Sequence, residues 1–393
     1  MKIISKQLFL KLFVVFISFV VVIAIIEIVF RLIGYDFDKK QQAFDNIPIC
    51  YRQPIKPAGE IYFVRPGTDE WTGNVLSTGN IIYGYCDTNF AREPERTITY
   101  DKDGFRNPND LTNWDIVVIG DSYIELGYLN YDDLYTTLLG KLLNVKVKNL
   151  GVGFTGTLSH NYYFEQYGKS PATKHAILVF SEGNDIEDLL IEYEQLKTFN
   201  STGKRSFRDI KFIKQTSFIK AIYHLLTRVT EEKEILRQDG YFVSNTKRIP
   251  VNINYAPKGS EDISDETNNL LDSVLSAFSN SARASGIIPW LVYMPCKHRV
   301  FHGYIEHNKD VPKYITDWQP TDLPQYIEKL CNKDSIHYIN IYDRLREETI
   351  KGNLTYNAMF DTHLNKRGSH IVAEVIAEKF KEYQSNKLVS QKE

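Results

Sequence analysis

Cysteine, methionine and tryptophan are scarce in this 393-residue chain, with four, three and four residues respectively. The cysteines, Cys50, Cys86, Cys296 and Cys331, are scattered, so neither a CxxC dithiol nor the clustered spacing of a structural zinc site can be built from them. Their even number still permits disulfides in an oxidising compartment, and Cys50 with Cys86 is the pair to test. An excess of one charge is also missing. Lys and Arg total 47 against 49 Asp and Glu, for a formal net charge of -2, and the pI is near 6.5. Such a chain has no basic field with which to neutralise a phosphate backbone, which argues against a nucleic-acid partner. There is no HExxH motif either. His298, His302 and His307 lie close together in a basic stretch without metal-ligand spacing and read as solvated surface residues, so neither a metal nor another cofactor is expected.

One long apolar run is present. Leu12 to Phe30 is interrupted only by Ser18 and Glu27, and at about 1.5 Å per residue it measures roughly 28 Å, enough for a membrane helix. Glu27 lies near one end, where Arg31 follows one turn later. No small-x-small cleavage site follows the run, which continues into EIVFRLIGYDF, so an uncleaved anchor in a lipid bilayer is expected rather than a signal peptide. Lys2, Lys6 and Lys11 precede it and Arg31, Lys39 and Lys40 follow it. The short N-terminal flank favours a cytoplasmic N-terminus, so that 1–35 comprise a cytoplasmic tip and the transmembrane anchor, with the large C-terminal part outside the cytoplasm, at a periplasmic or extracellular face.

Residues 36–111 carry Pro, Gly, Asn and charged residues between short apolar pieces, which predicts a loop-rich lead segment. Within it, YDKDGFRN from Tyr100 to Asn107 reads as a structural turn. An alternation of strands and helices follows. Ile116–Ile119 is a β-branched run ended by Gly120, Asp132–Leu143 has helical periodicity, Val145–Leu150 is a second strand, and a helix at Leu158–Tyr167 leads to a third at Ala176–Phe180. These spacings imply parallel crossovers and a doubly wound sheet. Residues 186–261 are first helical and then turn-rich, and read as an insertion or lid. A helix at Thr267–Ala284, strands at Ile288–Tyr293 and Ile336–Ile341 and a loop MPCKHRV resume the pattern over 262–385, with a polar tail at 386–393. Asn365 is placed to cap the last helix.

Ser122, just past the first strand, is the residue around which the chemistry gathers, because open α/β sheets present ligands at the carboxyl ends of their strands. A serine hydroxyl needs a base, an orienting acid and an oxyanion site before it can take part in acyl transfer. Asn184 follows the third strand, and Asp361 and His363 precede the last helix. In an extended segment a two-residue spacing sends both of those side chains to one side. Asp121 reads as a cap rather than an acid, and His370 is a rival base without a carboxylate at short spacing. Lys297, at a strand end, could reach a substrate or form a salt bridge.

Four blocks in order resemble the SGNH, or GDSL, hydrolase superfamily: Gly120, Asp121 and Ser122; NLGVGFTG from Asn149; Gly183, Asn184 and Asp185; and FDTHLN from Phe360. The resemblance spans about Tyr100 to Tyr383 and omits the insertion. It implies a flavodoxin-like three-layer α/β/α sandwich, catalytic 112–185 and 262–385, with Ser122 as nucleophile, His363 as base and Asp361 orienting it. The oxyanion hole would be drawn from Ser122, Gly153 and Asn184. Phe154 follows Gly153, and Glu182 stands where a glycine is common in the superfamily; an outward side chain or strained backbone is expected at Glu182. The two-residue acid-to-base spacing and the anchor resemble membrane-anchored members that act on O-acylated cell-envelope glycans, either as esterases or as O-acetyltransferases. A non-catalytic glycan-binding or assembly protein on the same fold is the alternative from another class, favoured by the departures at Glu182 and Phe154.

Overall fold

Ile116–Gly120 forms strand β1, and every residue in it is buried. The computed structural model describes residues 6–32, 56–65, 67, 70–74, 95–126, 129–203, 238–244, 247–253, 255–359 and 362–390. The other sheet strands are β2 (Val147–Gly151), β3 (His175–Ser181), β4 (Ile288–Met294) and β5 (His337–Asn340). All neighbours pair in parallel, in the order β2-β1-β3-β4-β5. That is the flavodoxin-like order, whose switch point lies between β1 and β3.

Strand side chains alternate between the faces of the sheet, and the core divides accordingly. Val118, Val179 and Val292 belong to one apolar layer, with Leu139 of helix α2 (Tyr135–Leu143). Val117, Leu178 and Leu291 belong to the other, with Tyr163 at the end of α3 (Thr157–Tyr163). Helix α4 (Asp185–Thr202) packs against α3 and α5 (Asp265–Ala284). Leu271, Leu275 and Phe278 of α5 and Ile327 of α6 (Leu323–Lys333) complete the second layer. On the first face, Val372, Ile376 and Phe380 of α7 (Lys366–Ser390) are buried beside α2. Each such aliphatic or aromatic side chain contributes about 1.5–3 kcal/mol by leaving water. Asn365 caps α7 as expected, its Oδ1 accepting from the Gly368 amide at 3.0 Å.

The described residues add detail to several of the expected segments. The insertion expected at 186–261 begins with α4, which is a working part of the sandwich because Leu189 and Glu192 are buried. Its turn-rich end forms the hairpin Gly240–Ser244 with Lys247–Val251, which pairs with Ile305–His307. Residues 204–237 lie outside the described residues. The expected loop MPCKHRV contains a short helix, Lys297–Phe301, buried throughout. Helix α7 runs on into the expected polar tail.

The chain divides into a larger unit, 47–205 with 236–393, and a smaller one, 1–46 with 206–235. In the smaller unit, helix α1 covers Lys6–Leu32. Phe13, Val15 and Phe19 are among its exposed apolar side chains. Among the described residues no helix is long and apolar enough to cross a membrane. Cys50 and Cys86 lie outside the described residues, whereas Cys296 and Cys331 are free and buried.

Candidate active site

The turn after β1 places Ser122 at the head of a short helix, Ser122–Glu125, where first-turn amides have no intrahelical acceptor. Asp121 is its cap. Asp121 Oδ1 accepts from the Tyr123 amide at 2.9 Å and from Ser181 Oγ at 3.0 Å, and Oδ2 accepts from Asn184 Nδ2 at 3.0 Å. Burial raises the Asp121 carboxyl, and its donors, Asn184 first, oppose that rise. The residue therefore ties the ends of β1 and β3 together, the capping role expected of it.

His363 comes from the segment before α7 and meets the serine directly. Its Nε2 lies 2.6 Å from Ser122 Oγ. The segment that carries the ring is held on both sides of His363. Tyr123 O–H donates to the Thr362 carbonyl at 3.0 Å, and the Tyr123 and His363 rings are 4.7 Å apart. The bridge Tyr356↔Leu364 and the Asn357 amide donating to the His363 carbonyl at 2.9 Å fix the strand-like return. Lys297 is buried and donates to the carbonyls of Asn357 at 3.0 Å and Ala358 at 3.4 Å, so it braces this return. Asp361 lies outside the described residues. His370 sits elsewhere, on α7, with Nε2 3.8 Å from Asp133 Oδ1.

Asn184 is at the cavity, but its amide is engaged: Nδ2 also donates to Asp188 Oδ2 at 2.7 Å. Gly153 is close to the serine as well. A side-chain carbon at that position would lie 3.3 Å from Ser122 Cβ and 2.9 Å from Glu125 Oε2. Its N–H donates to Glu125 Oε2 at 2.5 Å, so the expected oxyanion amide of Gly153 is already committed to a carboxylate. Phe154 takes the left-handed conformation, φ 68°, and is exposed at the cavity rim. Ser122, Phe154, Asn184, Asp188, Tyr255 and His363 border a cavity of about 400 Å³, room for a small acyl group and part of its leaving group.

What stands behind the serine has no signal in the sequence. Arg65, from the lead segment, pairs with buried Glu125 through two bonds of 2.9 Å, and Tyr100 O–H donates to the same carboxylate at 2.6 Å. Arg106 donates to the carbonyls of Glu125, Leu126 and Leu129. The lead segment thus fixes the carboxyl end of the nucleophile turn. Glu182 also departs from expectation. Its side chain points inward, accepting from Arg299 Nε at 2.6 Å and the Cys296 amide at 2.8 Å, and its φ is not positive. His298 is buried, stacked on Trp318 at 4.4 Å, instead of solvated. Among the described residues no group of three or more His, Cys, Asp or Glu could hold a metal ion.

A hydroxyl 2.6 Å from an imidazole nitrogen, with a cavity before it, can be deprotonated as it attacks an acyl carbonyl. No protein-family model matches the chain, and no curated protein does. Solved structures similar to it include a G-D-S-L family lipolytic protein from Desulfitobacterium hafniense, at 13% identity, covering 67% of this chain and 97% of that one, TM-score 0.32. A psychrotrophic esterase from Pseudoalteromonas has 9% identity, 69% and 98% coverage and a TM-score of 0.32. An acetyl-xylooligosaccharide esterase variant from Geobacillus has 11% identity, 68% and 94% coverage and a TM-score of 0.35. TM-scores of this size leave the chemistry to be argued from this chain's own residues.

Proposed function

We propose that the chain is a serine esterase of the SGNH type, and the observation that carries this reading is the 2.6 Å contact between Ser122 Oγ and His363 Nε2 at the mouth of a cavity. In the reaction, Ser122 Oγ attacks an acyl carbonyl while His363 takes its proton. The charge that develops on the carbonyl oxygen is met by the Ser122 amide and the Asn184 side chain. Collapse of the tetrahedral species expels the alcohol, protonated by His363, and leaves an acyl-Ser122 ester. Water activated by the same imidazole then releases the acid. Asp361 is assigned the orienting role, on the sequence argument that it lies two residues before His363. Gly153 shapes the site beside Ser122, with its amide held by Glu125.

The substrate we assign is an O-acylated carbohydrate of the cell envelope, presented to a catalytic unit outside the cytoplasm and anchored by the N-terminal helix. Support for the anchor is the apolar run from Leu12 to Phe30, which lies within helix α1. Should a sugar hydroxyl replace water as acceptor, the same acyl-enzyme makes the chain an O-acetyltransferase. A non-catalytic role is disfavoured by the inward, paired Glu182 and the rim position of Phe154, since neither departure blocks Ser122. The test is turnover of acetylated glycan fragments by the full chain, with free acetate and acetylated acceptor measured together. Acetate alone means an esterase, acetylated acceptor means a transferase, and binding without either contradicts the proposal.

A further inference from the structure

Asn184 has two amide protons, and both are given to carboxylates. Nδ2 donates to Asp121 Oδ2 at 3.0 Å and to Asp188 Oδ2 at 2.7 Å, while Oδ1 is buried without a partner. An oxyanion at Ser122 requires one of those protons. The Asp121 bond belongs to a fully buried cap that also holds Ser181 and the Tyr123 amide, so it is an anchor. Asp188 differs: it stands one turn along α4 from Asn184 and borders the same cavity as Ser122 and His363. We propose that Asp188 is a positioning residue that latches the Asn184 amide, withholding it from the oxyanion when ionised and yielding it when protonated.

The surroundings of Asp188 give the latch its working range. Asp121 faces it from the turn after β1, and Glu187 and Glu192 face it from its own helix, all of them acidic. The loop before α3 approaches with Gly156, which carries no charge, and Tyr255 and His363 border the same cavity. Burial first, and then those acidic neighbours, push the Asp188 carboxyl up to about 7, against the lowering effect of the Asn184 bond. A carboxylate accepts more strongly than a carboxylic acid. Raising the pH through this range therefore tightens the hold on Asn184, and lowering it frees the amide.

This inference rests on the ester-cleavage reading of Ser122, and its test separates the two. Hydrolysis of a fluorogenic acetyl ester by the full-length chain is followed from about pH 5 to about pH 9. The native profile should fall on its alkaline side with a midpoint near 7. Asp188→Ala should remove that fall and raise kcat at the alkaline end about tenfold, with KM little changed. Asp188→Asn, a neutral acceptor, should also lose the fall. Retention of the fall in Asp188→Ala, or an even loss of kcat at every pH, would overturn the latch. The Asn184 side-chain amide resonance supplies a readout independent of turnover: it should titrate near 7 in the native chain and stay fixed in Asp188→Ala. Absence of hydrolysis by the native chain overturns the ester reading while that resonance still tests the latch. A resonance that does not titrate overturns the latch alone.

Discussion

Arg65 and Glu125, sixty residues apart in sequence, meet in a two-pronged ion pair: Nε to Oε1 and Nη2 to Oε2, both 2.9 Å. Burial alone would raise the Glu125 carboxyl, but the Arg65 charge and its hydrogen bonds, with Tyr100 and the Gly153 amide, bring it below the ordinary range. The pair thereby joins the lead segment, the nucleophile turn and the glycine loop at one carboxylate.

Removing one partner leaves the other charged and buried. Arg65→Met should lower unfolding stability by about 3–5 kcal/mol, measured by urea denaturation. A loss under about 1 kcal/mol, the size typical of exposed pairs, would mean that the lead segment does not anchor the turn.

Glu182 makes an equivalent tie between β3 and the helix Lys297–Phe301. Glu182→Gly, which introduces the residue common at this place in the resembled superfamily, should strip Arg299 of its carboxylate and cost about 3–5 kcal/mol of stability. A variant as stable as the native chain would show that Arg299 finds another partner, and the structural role assigned to Glu182 would fall.

His160 is wholly buried under the glycine loop, with Nε2 3.4 Å from Thr155 Oγ1, and burial lowers its pKa from 6.5 to about 3. Below about 6.5 the unfolded chain binds a proton that the native chain refuses until about 3, so this histidine's contribution to stability is lost as pH falls through that window. The native chain should lose up to about 1.4 kcal/mol per pH unit more than His160→Gln between those limits. Equal slopes for the two proteins would contradict a neutral, buried His160.

The sheet was legible because its strands are short β-branched runs separated by amphipathic helices. Gly120 and Asn365 marked element ends by local chemistry. Ser122 and His363 were legible for the same reason, each lying next to such an end. The Arg65–Glu125 pair was not, since nothing local links residues brought together only by the tertiary fold. Lys297–Phe301 gives no helical signal in the sequence because five residues following Pro295 and Cys296 are too few to show a period. His298 was misplaced with it, its burial depending on Trp318, which arrives twenty residues later. The Asn184 and Asp188 pair was available in the sequence, four apart at a helix start, but the cavity that gives it meaning was not.

Tyr123 holds the His363 segment through its bond to the Thr362 carbonyl. Tyr123→Phe removes one neutral hydrogen bond, with an expected cost of about 1 kcal/mol. The effect should appear as a fall in kcat of up to about tenfold with KM unchanged, because the ring still packs on His363. A rise in KM alone would place the tyrosine in substrate binding instead.

The most direct test of the central claim is intact-mass measurement of the chain after a fluorophosphonate probe. One adduct is expected, mapped to Ser122, absent in Ser122→Ala and slowed at least about a thousandfold in His363→Ala and Asp361→Asn. No adduct on the folded native chain, or labelling at Ser122 that His363→Ala leaves unchanged, would contradict it.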